Sequence, residues 1–96
     1  MPDNPQQQQK KQVQINTGDE IVRGRFTNSM LISHNAEEFI IDWLLNSPSG
    51  AHIVSRIIVT PGHIKRIISA LQENLNKYES HFGPVTPAED GRHEYH

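Results

Sequence analysis

The sequence predicts an α+β domain, an antiparallel β-meander of three to four strands packed by one long C-terminal helix. Three observations predict it. From Thr60 to Gly83 the apolar residues Ile64, Ile67, Ile68, Leu71, Leu75, Tyr78 and Phe82 recur in steps of three and four, the stripe of an amphipathic helix. Ahead of it lie short runs rich in β-branched and aromatic residues, SMLIS, FIIDWLL and AHIVSRIIV, separated by turn-forming residues. The connections between those runs are too short to hold a crossover helix, so neighbouring strands must run antiparallel.

The ends read differently from the middle. Residues 1–12, MPDNPQQQQKKQ, form a Gln-rich segment whose apolar content cannot offset its ordering entropy, and disorder is expected there. Residues 84–96 are polar and proline-containing and are expected to be a flexible tail. Residues 13–83 then constitute the single folded domain. Within it, Ile21, Val22 and Phe26 alternate with Arg23 and Arg25 and suggest a half-exposed strand, with Gly24 as a bulge. Thr27-Asn28 suggests a tight turn or a bulge. Ser29–Ser33 is the next strand, and His34-Asn35-Ala36-Glu37 has the polar chemistry of a turn. Phe39–Leu45 follows, then the loop signal Asn46-Ser47-Pro48-Ser49-Gly50 and a last strand from Ala51 to Val59. Thr60 is placed to cap the helix, Pro61 occupies its first position, and Gly83-Pro84 ends it after about 22 residues.

Composition bounds the partners. The chain has 96 residues, a net charge of −2 and no cysteine. No broad positive field draws it to nucleic acid or a membrane surface. Disulfide frameworks and thiolate zinc sites are excluded, and a reducing, cytoplasmic setting is expected. No apolar run approaches the ~18 residues of a membrane span.

The expected strands carry more apolar surface than one helix can cover. With strict alternation, Phe39, Ile41, Trp43 and Leu45 share a face with Ile53, Ile57 and Val59, while Ile40, Leu44, Val54 and Ile58 occupy the other. A sheet under a single helix normally shows a polar open face. Apolar residues on both faces call for another layer, and a second copy of the chain is the expected source. Ile40, Leu44, Val54 and Ile58 are accordingly the candidate interface of a homo-oligomer, either dimer or tetramer; the tails folded over that face, or another protein, are the alternative occupants.

Chemistry-bearing constellations are sparse. His34, His52, His63, His81, His93 and His96 are scattered, with no pair at metal-ligating helical spacing; His93-Glu94-Tyr95-His96 sits at the chain end, a poor place to build a site. No metal or other cofactor is expected. Asp42 and Arg56, each alone among apolar neighbours on adjacent strands, are a candidate buried ion pair; a carboxyl raised in pKa by burial and used as an acid or base is the chemical alternative. Arg23, Arg25, Lys65 and Arg66 are candidate members of a basic patch, and Lys65 and Arg66 sit at the helix end that its dipole disfavours for cations. No nucleophile–base pair or phosphate loop accompanies them, so catalysis is not expected.

Three strings carry a resemblance. They are Phe26-Thr27-Asn28, then Ser55-Arg56-Ile57-Ile58-Val59-Thr60-Pro61, and Lys77-Tyr78-Glu79-Ser80-His81-Phe82-Gly83. Between Val13 and Gly83 the chain resembles a small bacterial and archaeal family known only as a domain of unknown function. Gly62 departs from its pattern, where a polar residue usually follows the proline. The strand order with one terminal helix also looks like the SecB-type export chaperone, whose subunits pair twice and bind unfolded chains along apolar grooves. The function expected is therefore a non-enzymatic interaction or assembly protein that self-associates through an apolar sheet face. The alternative is a SecB-like holdase or adaptor for extended polypeptide segments.

Overall fold

The computed structural model describes residues 13–89. Its elements are α1 (Asp19–Arg23), β1 (Ser29–His34), β2 (Phe39–Ser47), β3 (Gly50–Val59) and α2 (Pro61–Phe82). The three strands form one antiparallel sheet in the order β1-β2-β3. The α+β class, the meander and the single long C-terminal helix are those the sequence predicts.

The first expected strand is absent. Residues 19–23 form the short helix α1 instead. Asp19 and Glu20 in its first turn and Arg23 in its last complement the helix dipole, and Gly24, at φ 78°, turns the chain out of it. Asn28, at the bend just ahead of β1, also pairs with β2. Its backbone N–H donates to Leu44 O at 3.1 Å. Its side-chain Nδ2 donates to Asn46 O at 3.1 Å, and its Oδ1 accepts from Asn46 N–H at 2.8 Å. The carboxamide thus acts as an extra peptide group and extends the ladder of β1 beyond Ser29.

Both hairpins close as their turn residues dictate. Asn35 Oδ1 accepts from the N–H groups of Glu37 and Glu38 at 2.8 and 3.0 Å, the self-bonded turn that Asn favours. His34 and Phe39, paired across that turn, stack with ring centroids 5.3 Å apart. Ser47 and Gly50 are partners across the Pro48-Ser49 turn, and the φ of 125° at Gly50 is one that side chains rarely adopt.

Helix α2 is locally complete. Thr60 Oγ1 accepts from His63 N–H at 3.2 Å, Pro61 opens the helix where no N–H is needed, and Gly83, at φ 94°, closes it with an N–H to Glu79 O at 2.9 Å. Glu79 Oε2 then accepts from Val85 N–H at 2.9 Å and fixes the exit of the chain. Of residues 84–96, those to Glu89 carry neither helix nor strand. The expected disorder of residues 1–12 and the last part of the expected tail lie outside the described residues.

The core is confined to β2. Ile41, Asp42 and Leu44 are the buried residues among those described. Helix α2 has no buried residue; Ile64 and Ile67, in the turns nearest β3, are half-buried, and from Ile68 onward its apolar side chains are exposed.

Candidate interaction surface

Asp42 and Arg56 are directly opposed across β2 and β3. Arg56 Nε donates to Asp42 Oδ1 at 2.7 Å and Nη2 to Oδ2 at 2.9 Å, a two-pronged pairing that matches the planar guanidinium to the carboxylate. The carboxylate is buried, with 8% of its side chain accessible, whereas 56% of the Arg56 side chain reaches solvent. The hydrogen bonds from Arg56 hold the Asp42 carboxyl below its ordinary pKa, outweighing the opposing effect of burial. The same bonds raise the guanidinium further above its already high value. A carboxylate held ionised in this way is the reverse of the raised acid that proton-transfer chemistry would draw on. The pair favours this register, since a one-residue slip of β3 would set Asp42 opposite Ser55 or Ile57 and leave the carboxylate without its partner.

Immediately beyond this pair the register shifts. Trp43 pairs with Ser55 but Leu44 pairs with Ile53, which leaves Val54 as the extra residue. The consequence corrects the strict alternation expected of β3. Ile53 does not share a face with Ile57. It stands opposite Leu44, on the face that also holds Ile40, Asp42, Arg56 and Ile58. Of the four candidate interface residues, Ile40 and Val54 are half-buried, Leu44 is buried and Ile58 is 54% exposed. Ile53, missed because a bulge leaves no mark in a hydrophobicity pattern, is 56% exposed beside them.

The opposite face is also open. Ile32, Ile41 and Ile57 form one row across the three strands, and the outer two are exposed, as is Trp43. Apolar surface therefore remains on both faces of the sheet and along α2.

The remaining candidates stay apart. Among the described residues no three His, Asp or Glu side chains group as metal ligands; His93 and His96 lie outside those residues. His34 and His81 make a ring stack and a contact with Lys77 O at 3.2 Å, respectively. Arg23 closes α1 and Arg25 follows it, while Lys65 and Arg66 lie in the first turns of α2; all four are exposed. No helix among the described residues is long and apolar enough to cross a membrane.

A family model described as a protein of unknown function, DUF3467, matches residues 1–86. The chain belongs to the DUF3467 family. The match takes in nearly all of the chain, including the Gln-rich segment ahead of Val13. No curated protein and no solved structure matches it, so the likeness of topology to SecB-type chaperones gains no support from comparison. The strings that carry the DUF3467 resemblance now have structural roles. Asn28 extends the ladder, Thr60-Pro61 starts α2, and Glu79 with Gly83 ends it.

Proposed function

We propose that this DUF3467 chain is a non-enzymatic assembly module that associates with its own copies through the sheet face bearing Ile40, Leu44, Val54 and Ile58, to which the bulge adds Ile53. One observation carries this reading. Among the described residues the protomer buries two apolar side chains, Ile41 and Leu44, while Ile53 and Ile58 on the proposed face stand exposed. Exposed apolar clusters of that kind mark association sites, because covering each such side chain gains about 1.5–3 kcal/mol. Arg56, exposed between Ile53 and Ile58, supplies a polar point in the patch and disfavours sliding of one sheet on another. A cysteine-free chain suits the reducing cytoplasm for such a role.

Ile58→Lys is the direct test, because Ile58 is exposed in the protomer and its replacement leaves the fold in place. Sedimentation of the full-length chain is expected to show a lower native mass for the variant with an unchanged far-ultraviolet circular dichroism spectrum. Unchanged mass and solubility would sink the proposal.

A second reading takes the same surface as a groove for extended polypeptide. It is favoured by β3, a ten-residue strand at the sheet edge, since an extended segment adds readily to such an edge. It requires the chain to suppress aggregation of unfolded clients near one-to-one ratio, and no suppression across several clients would reject it.

A further inference from the structure

Ile67 and Ala70 aside, the apolar residues of α2, half-buried at Ile64 and exposed from Ile68 onward, have a stricter spacing than an amphipathic helix needs. Ile64, Ile68, Leu71, Leu75, Tyr78 and Phe82 follow one another at intervals of four, three, four, three and four. That is an unbroken 3.5-residue repeat, the seam of a coiled coil rather than the broad face of a helix lying on a sheet. Ile67, which falls beside the seam, is half-buried in the protomer, whereas Ile68, Leu71, Tyr78 and Phe82 are more than half exposed.

The seam is symmetric about Glu73. Residues equally distant from that position are Leu71 and Leu75, Ile68 and Tyr78, and Ile64 and Phe82. In an antiparallel pair of identical helices these become the facing layers, so each aromatic residue meets an isoleucine and the leucines meet at the centre. The flanking positions on one side are Lys65, Gln72 and Glu79. In the same register Gln72 faces its own copy and Lys65 of each helix faces Glu79 of the other. A parallel pair offers no such match: the flanks then set Ile67 beside Gln72 and Asn74 beside Glu79, with the two helix dipoles aligned.

Lys65 thereby acquires a reason to stand at the helix end least favourable to a cation. Within one chain it has no ion-pair partner among the described residues, and Glu79 lies fourteen residues away, about 21 Å along the axis. Glu79 spends Oε2 on the Val85 N–H, which holds its carboxylate in place on the flank.

From this heptad and its charge pattern we infer that α2 is a self-docking helix, pairing antiparallel with α2 of a second copy through Leu71–Leu75 layers closed by reciprocal Lys65–Glu79 ion pairs. The inference shares with the sheet-face proposal the premise that copies of this chain meet, but it uses a separate surface.

A charge swap on the full-length chain tests it. Lys65→Glu and Glu79→Lys are each expected to weaken association about tenfold in sedimentation equilibrium, since each converts two attractive contacts per pair into repulsive ones. Lys65→Glu combined with Glu79→Lys is expected to recover most of the loss. Residues so far apart on one helix cannot restore each other within a chain, and Lys65→Glu cannot repair the Val85 contact that Glu79→Lys removes. Leu71→Glu is expected to abolish pairing through α2. A double variant no better than the weaker single one, or a Leu71→Glu chain of unchanged mass, overturns the inference. The two surfaces separate cleanly: Ile58→Lys without effect alongside a successful swap rejects the sheet face and keeps the helix pair. The reverse pattern does the opposite, and a wild-type chain that stays monomeric rejects both.

Discussion

Strand β2 and helix α2 hold comparable stretches of apolar sequence and treat them in opposite ways. β2 lies between two partners and contains all three buried residues among those described. α2 is the longest element, has a cap at each end and contains no buried residue. The difference separates two sources of structure. Caps, a proline at the first position and a C-terminal glycine fix where a helix begins and ends without reference to the rest of the molecule. Burial needs a second surface, and β2 finds one on each side within the chain while α2 does not. Isolated helices depend on such packing for most of their stability, so the open seam of α2 is where the proposed pairing would add most.

The largest effect that breaks this comparison comes from Leu44→Ala. Leu44 is buried on β2, and its truncation is expected to lower the unfolding free energy by about 2–5 kcal/mol in urea titration, enough to unfold much of so small a domain. The matched change Leu71→Ala on α2 is expected to leave the dilute protomer almost as stable and instead to weaken the concentration dependence of its melting temperature.

Next in size is the ladder extension. Asn28→Ala removes two amide-to-backbone hydrogen bonds to Asn46 and is expected to cost about 1–2 kcal/mol, with faster amide exchange at Asn46. Asn28→Asp, which keeps the acceptor and loses the donor, is expected to fall between the two.

Thr60→Ala at the start of α2 is expected to cost about 1 kcal/mol and Thr60→Ser much less, both read from denaturant midpoints.

The ion pair sharpens the comparison through pH. Asp42 has a lowered pKa in the folded chain, so its contribution is complete above the ordinary carboxylate range, near pH 4. It is lost as pH falls from there through the lowered folded value. Asp42→Asn is expected to flatten that part of the stability profile. Arg56→Ala, which leaves a buried carboxylate without its partner, is expected to destabilise more than Asp42→Asn at pH 7.

What was legible in the sequence follows the same division. The start and end of α2, both hairpin turns and the opposition of Asp42 and Arg56 rest on local chemistry or strict alternation, and they could be read directly. Helix α1 was not, because Ile21 and Val22 imitate a strand; the dipole-matched placement of Asp19, Glu20 and Arg23 was the available signal. The bulge at Val54 reassigns Ile53 to the other face, and no pattern of residue types reports an extra residue in one strand. Asn28 reads as a turn or bulge residue, and it does stand at a bend, but the sequence does not show that its carboxamide bonds to β2. The heptad was hidden by Ile67, which widens the stripe into that of an ordinary amphipathic helix.

Sedimentation equilibrium of the untagged full-length chain across a hundredfold range of concentration tests the central claim most directly. Association through its own apolar surfaces requires a mass at least twice the 10.9 kDa of one chain, falling toward that value on dilution. A folded species that remains at 10.9 kDa at every concentration would contradict it.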